Sequence, residues 1–293
     1  MKHELSILIP VYDCDCRQLA TALSQQTEQA EGLQYEIIVA DDGSPSRAVV
    51  ELCRETEHLP HCRFIDRRVN SGRAAIRNFL AREARYDWLL FLDCDMTIVS
   101  PRFIQDYLEA DVPAVAYGGY EVGTGERSCL RYAYEKQCEP MHRAEERRKR
   151  PFMHFHTCNF LVRRDLMLRH PFDERFHHYG YEDVLWGKHL RKAGIAVKHL
   201  DNPTGFHTFE DNAHFVSKTE EGLRTLHEFR ADLRGYSQLI TFVDGIHLAI
   251  VKRFLRLLHR LTGPLLRLNL CGRHPSLTAF RLYKLGYYLN LKD

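Results

Sequence analysis

The sequence has no apolar run approaching the roughly 18 residues that a membrane-spanning helix needs. Its start, Met1-Lys2-His3-Glu4, passes straight into a strand-like segment, without the basic opening and longer apolar core of a secretory leader. It has no CxxC pair, which argues against structural zinc. Its nine cysteines are odd in number and scattered, unlike a disulfide framework. These absences predict a cytoplasmic protein with reduced thiols. An excess of one charge is also missing: 41 Lys and Arg face 39 Asp and Glu, so nucleic acid is not an expected partner. There is no internal repeat and no low-complexity tract. What is present is 293 residues, 44% hydrophobic, enough for a true core and long for one ordinary domain.

Short apolar runs alternate with helix-like segments over the first hundred residues. The runs are 6–11 (SILIPV), 35–40 (YEIIVA), a weaker 63–66 (RFID) and the strongest, 87–92 (DWLLFL). Helical patterns lie between them, at 17–29 and 72–85. Apolar strands joined by helical crossovers predict a parallel sheet covered on both faces. Further on, 157–162 and 195–200 read as strands. A helix is expected over 182–192, closed by Gly194. The charged stretch 126–150, ending in EERRKR, reads as a solvated helix or loop and is the candidate mobile segment. His154 and His156 read as structural.

Ligands of such sheets bind beyond the carboxyl ends of the strands. Three of these ends are polar: Tyr12-Asp13, Asp41-Asp42-Gly43-Ser44 and Asp93-Cys94-Asp95. Two carboxylates flanking one residue after a buried strand make a compact oxygen site of the kind that Mg²⁺ and Mn²⁺ prefer, completed by phosphate oxygens. The alternative for Asp93-Cys94-Asp95 is a turn or helix cap.

With these motifs in order, the chain resembles the family-2 glycosyltransferases of GT-A fold. The resemblance rests on SILIPVY, on Asp41-Asp42-Gly43-Ser44, and on Asn70-Ser71-Gly72 followed by Ala75-Ile76-Arg77-Asn78. It rests also on Asp93-Cys94-Asp95 and on Gly180-Tyr181-Glu182-Asp183 with Trp186-Gly187. The last is similar to the G-x-E-D motif of members that transfer galactose or N-acetylgalactosamine. Together the motifs span roughly residues 5–210. The fold so implied is a GT-A-type, Rossmann-like αβα sandwich with a mostly parallel sheet. A nucleotide-sugar-binding half (1–115) and an acceptor-side half (116–212) would be followed by a helical basic extension (213–293).

The resemblance implies a UDP-sugar donor, lined by Pro10, Tyr12, Asp41, Asp42, Asn70, Gly72, Arg73, Arg77, Asp93 and Cys94. Tyr12 would stack on the base and Asp42 would accept its N–H, while Asp41 would assist or cap the turn. Arg73 and Arg77, one helical turn apart, would reach base or diphosphate. Asp95 would bind Mn²⁺ or Mg²⁺, with His207 as a further ligand and Asp93 facing the ribose or a metal-bound water. Asp183 would be the catalytic base of an inverting displacement, with Glu182 binding hydroxyls; the alternative is that both acids merely favour a helix N-terminus. Tyr181 and Trp186 fall on the acceptor side, Trp186 equally readable as core. The acceptor would be a saccharide or lipid-linked saccharide. A nucleotide-sugar-binding protein without turnover is the second reading. A nucleotidyltransferase is the third, though the glycine-rich loop such enzymes carry after the first strand is missing.

The final fifty residues change character. In IVKRFLRLLHRL (250–261), Ile250, Phe254, Leu257, Leu258 and Leu261 are expected on one helical face, and Lys252, Arg253, Arg256 and Arg260 on the other. Gly263-Pro264 is expected to end this helix. Such a basic amphipathic helix either lies on the inner, anionic face of a membrane as a peripheral anchor or packs on the catalytic domain.

Overall fold

The computed structural model of the chain describes residues 1–292. They pack as two compact units. The first comprises Met1–Gly123, Pro140–His177 and Glu182–His207; the second comprises Thr124–Glu139, His178–Tyr181 and the chain from Thr208 onward. The chain therefore crosses between the units after residues 123, 139, 177, 181 and 207, and the expected division at 115 falls within the first unit.

All strands belong to the first unit. They are β1 (Glu4–Val11), β2 (Gln34–Asp41), β3 (Cys62–Asp66), β4 (Trp88–Leu92), β5 (Met96–Ile98), β6 (Val115–Tyr117), β7 (Tyr120–Val122), β8 (Asn159–Arg163), β9 (Val197–His199) and β10 (Thr204–Phe206). The main sheet runs β3-β2-β1-β4-β8-β6-β9. Its members pair in parallel except β8, which is antiparallel to β4 and β6. The strand runs are continuously apolar because helices cover both faces. On one face Ile7, Ile9, Val39, Leu90 and Leu92 pack with Leu19, Leu23, Val50 and Phe103. On the other lies the Arg73–Glu83 helix, whose Ala74, Ala75, Ile76 and Leu80 are buried. Each fully buried Leu, Ile or Phe stabilises by about 1.5–3 kcal/mol.

A small second sheet, β5-β10-β7, follows the end of β4. Its antiparallel β10–β5 ladder pairs Thr204 with Ile98, Gly205 with Thr97 and Phe206 with Met96.

The charged stretch before residue 150 takes the helical one of its two readings but is not wholly solvated. It is helical at Leu130–Cys138 and Ala144–Lys149, and Arg147 is buried rather than solvated. Its guanidinium donates to the carbonyls of Tyr117, Gly118, His142 and Leu200, and lies over the Tyr117 ring. It also donates to His199 Nδ1 at 3.0 Å, while His199 Nε2 reaches the Pro151 carbonyl at 2.9 Å. An arginine can only donate and a carbonyl only accept, so His199 is held as the neutral Nε2–H tautomer. Burial pushes its pKa down to about 4.

The second unit is helical: Leu130–Cys138, Asn212–Glu228, Gln238–Gly245, Ala249–Cys271 and Leu277–Asn290 are its longer members. Asp211 caps Asn212–Glu228 by accepting from His214 N–H, and Ser276 caps Leu277–Asn290 by accepting from Ala279 N–H. Leu130, Phe215, Val216, Leu270, Phe280 and Tyr283 form its core. Contrary to expectation, Pro264 does not end a helix: Ala249–Cys271 runs through it. An internal proline costs about 3 kcal/mol. Both halves of this helix are held by tertiary contacts, His259 against Tyr283 before the proline and Leu270 in the core after it. Packing outweighs the local penalty.

Candidate active site

The acids at the end of β2 build the rim rather than line a vacancy in it. Asp41 is fully buried; Oδ2 accepts the N–H groups of Gly43 and Ser44 at 2.9 Å, and Oδ1 accepts the Ser44 hydroxyl. Ser44 Oγ in turn accepts the Asp13 N–H at 2.7 Å, which ties the end of β1 to the same turn. Of the two roles open for Asp41, the structure therefore displays the cap. Gly43 has φ +75° and a Cβ there would meet Asn70 N at 2.6 Å, so glycine is needed.

Asp42 is saturated too. Oδ1 accepts from Arg67 at 2.8 Å and from the Ser71 hydroxyl at 2.7 Å; Oδ2 accepts from the N–H groups of Ser71 and Gly72 at 3.1 and 2.9 Å. A carboxylate offers about four acceptor sites, so the expected acceptance of a base N–H from the donor requires one of these partners to leave. Burial pushes its pKa above the ordinary value against those hydrogen bonds. Asn70 accepts the Gly72 N–H at 2.9 Å and so shapes the turn that begins the Arg73–Glu83 helix. Arg67 was not among the expected residues. Its signal was its place just after β3, a strand whose apolar run is weak.

The buried centre is an ion cluster. Arg73 donates to Asp93 Oδ2 and to Glu182 Oε1, both at 2.9 Å. Arg77 donates to Asp93 Oδ1 at 2.5 Å and lies 3.4 Å from Glu182 Oε1. Burial pushes Asp93 up, but Arg77 and Arg73 outweigh it and hold the carboxyl below its ordinary value. Two expectations change here. Both oxygens of Asp93 are taken by arginines, so it is not placed as a metal ligand. Glu182 is buried, and its Oε1 is bound to the same arginines rather than turned to an open rim. Asn78, from the same helix, pairs with the backbone of Phe172 at 2.9 Å in both directions and fixes the loop before residue 177.

Asp183 stands differently. Its Oδ2 is 3.2 Å from His156 Nδ1, and Oδ1 accepts the Val184 N–H at 2.7 Å. Burial pushes its pKa up; the hydrogen bond and charge of His156 outweigh this and hold it below the ordinary 3.8. The residue is thus a carboxylate at neutral pH, half-buried, with a histidine orienting one oxygen. His156 was read as structural. Nothing in the local His-Phe-His pattern signals a partner 27 positions away. Gly180 and Tyr181 precede the acids with φ of +96° and +70°; glycine takes this conformation freely, and Tyr181 is the strained residue before the helix.

Other expected residues sort by exposure. Tyr12 is exposed at the end of β1, free to offer a ring face. Pro10 and Cys94 are half-buried. All nine cysteines are free thiols, with a hydrogen bond to Cys14 and then burial pushing Cys94 well up. Trp186 takes the core one of its two readings: it is 1% exposed, its Nε1 donates to the His170 carbonyl at 2.7 Å, and its ring packs against Phe155, Phe160 and Phe172. It has no face to give a sugar. Tyr181, half-buried, lies in the second unit beside Gly222.

Among the described residues no group of three or more His, Cys, Asp or Glu is arranged to hold a metal. Asp95 and His207, both exposed, adjoin Met96 and Phe206, the end pair of the β5–β10 ladder. One carboxylate and one imidazole suit a cation whose remaining ligands are phosphate oxygens and water. The residues present fit such an ion.

The fold and rim define an α/β protein with an acidic, arginine-buttressed site at the carboxyl ends of its strands. The model of glycosyl transferase family 2 matches residues 6–169, more than half of the sequence, and the chain belongs to that family. It is 26% identical over 238 residues to the chondroitin synthase of Escherichia coli, covering 69% of this chain and 34% of that protein. It is also 26% identical over 240 residues to the hyaluronan synthase of Pasteurella multocida, covering 69% and 24%. The chain thus spans about a third or a quarter of the length of these relatives. Among solved structures, S. aureus TarS 1–349 superposes with a TM-score of 0.52 at 14% identity, over 97% of this chain and 89% of that one. Its complex with UDP gives 0.51 at 17%, with the same coverage. At these identities the likeness concerns the fold.

Proposed function

We propose that the chain transfers a sugar from a UDP-sugar to a hydroxyl of a saccharide or lipid-linked saccharide, in one inverting displacement. The observation that carries this reading is Asp183, ionised and oriented by His156 at the rim that also holds Asp95, Tyr12 and the Arg73–Arg77 cluster. The acceptor hydroxyl gives its proton to Asp183 as its oxygen bonds to the anomeric carbon. The bond from that carbon to the diphosphate breaks on the opposite face, and UDP leaves with the electron pair. Asp183 is a weaker base for its lowered pKa, but it is never lost to protonation near neutrality.

Asp95 and His207 would hold Mn²⁺ or Mg²⁺. When bound, the ion supplies charge neutralisation for the departing diphosphate. Tyr12 would stack on the uracil, and Asp42 would fix the turn that carries Gly72 and Arg73 towards the donor. Glu182 and Asp93 keep the two guanidiniums extended and in register, a preorganised positive pair. The names of the relatives, chondroitin and hyaluronan synthase, favour a growing saccharide as acceptor. The Gly180-Tyr181-Glu182-Asp183 segment favours galactose or N-acetylgalactosamine on UDP, ahead of glucose and N-acetylglucosamine.

The test is UDP release from a panel of UDP-sugars, with Mn²⁺ and with EDTA, for wild type and Asp95→Ala. Metal-dependent hydrolysis of one donor, lost in the variant, supports the reading. Pyrophosphate in place of UDP, or no release from any donor, overturns it.

A further inference from the structure

We propose that the outer face of the Ala249–Cys271 helix docks on an anionic phospholipid bilayer, lying in the plane of the headgroups. Within the second unit this helix has two apolar faces, not one. The inner carries His259, Gly263 and Leu270, packed on the Leu277–Asn290 helix and the core. The opposite face carries Ile250, Phe254, Leu257, Leu261, Leu265 and Leu268, all between 55% and 74% exposed. Their steps of four, three, four, four and three residues make a single straight stripe over a helix of 23 residues, about 35 Å long. A contiguous apolar patch of this kind on a soluble surface marks an interaction site.

Charge selects the occupant. Between Gly245 and Lys292 there are nine Lys and Arg and no acid. Arg253, Arg256 and Arg260 border the stripe along one edge. Arg256 and Arg260 are held there by hydrogen bonds to the Leu289 carbonyl and to Asn290 Oδ1. A second copy would set this positive edge against its own like; a bilayer rich in phosphatidylglycerol would neutralise it. Arg256 also lines a cavity of about 270 Å³ with Arg230, Arg234 and His227, where Asp244 is the one lining acid. Its size and charge suit a phosphate headgroup. No helix among the described residues is long and apolar enough to cross a membrane, so the stripe fits a helix that lies on the surface.

The experiment is cosedimentation of the full chain with vesicles of phosphatidylcholine alone and of phosphatidylcholine with phosphatidylglycerol, at low and high salt. The expected result is roughly tenfold or more tighter binding to the anionic vesicles, weakened by salt. Phe254→Ser with Leu261→Ser should weaken it at least tenfold, by removing two buried apolar side chains. Arg253→Gln should weaken it roughly fivefold. Circular dichroism confirms that each variant is folded; if the double variant is not, Arg253→Gln and the salt dependence decide. Equal binding to both vesicle types, or none to either, overturns the proposal. So does a dimer in sedimentation equilibrium that the double variant dissolves. UDP release by the same variants, expected to be unchanged, separates failure here from failure of the sugar-transfer reading.

Discussion

The first unit hides charge and the second displays grease. In the first, Arg77 and Arg147 are each 1% exposed and donate to buried partners. In the second, leucines and a phenylalanine stand in solvent along a whole helix. Both invert the usual partition of residue types, and it is such inversions, not ordinary burial, that are informative. A buried arginine is retained where it organises backbone or acids that cannot be satisfied otherwise. An exposed apolar stripe is retained where something covers it.

Breaking the comparison on the buried side should have the largest effect. Arg147→Met leaves the carbonyls of Tyr117, Gly118, His142 and Leu200 without their donor and should cost about 3–5 kcal/mol in urea unfolding. Lysine at that position should not restore it, because a point charge cannot serve carbonyls on several sides.

The next effect comes from His199. Its folded pKa, about 4, lies below its ordinary 6.5. A depressed pKa means that the unfolded chain takes up the proton first. The contribution is therefore complete above 6.5 and lost as pH falls from 6.5 towards 4, by about 3 kcal/mol in all. His199→Gln should flatten the dependence of unfolding free energy on pH in that window.

A smaller effect is expected at His156. His156→Asn removes the group that lowers the Asp183 pKa. Turnover should fall roughly tenfold, the worth of one hydrogen bond to a charged group, and the acid limb of the kcat/KM profile should move to higher pH. A structural role alone would lower activity without moving that limb. On the exposed side, Phe254→Ser should change unfolding free energy by less than about 0.5 kcal/mol. A large loss would mean that the stripe is packed and the contrast false.

Much of the first unit was legible because its signals are local. The strands 6–11, 35–40 and 87–92 are apolar runs covered on both faces, and their polar ends fall on one rim as expected. Asp41, Asp42 and Gly72 stand where their turn chemistry put them, although their hydrogen bonds turned out to serve the fold. What stayed hidden depends on distant partners. Arg147 sits in a run of charges that reads as solvated, and only β6, β9 and their loops make it a hub. His156 meets Asp183 across the fold. Trp186 is indistinguishable in sequence from an exposed stacking residue until Phe155, Phe160 and Phe172 enclose it. Pro264 obeys tertiary packing rather than propensity. The apolar stripe was readable, but not that it faces away from the helix's own core.

The most direct test of the site compares Asp183→Asn with Glu182→Gln for UDP binding by calorimetry and for UDP release with a donor. If Asp183 is the base, Asp183→Asn should bind UDP as wild type does and lose turnover by roughly 10²–10⁴-fold. Glu182→Gln, by loosening Arg73 and Arg77, should weaken UDP binding as well as turnover. Full turnover in Asp183→Asn, or its loss only together with UDP binding, would contradict the assignment.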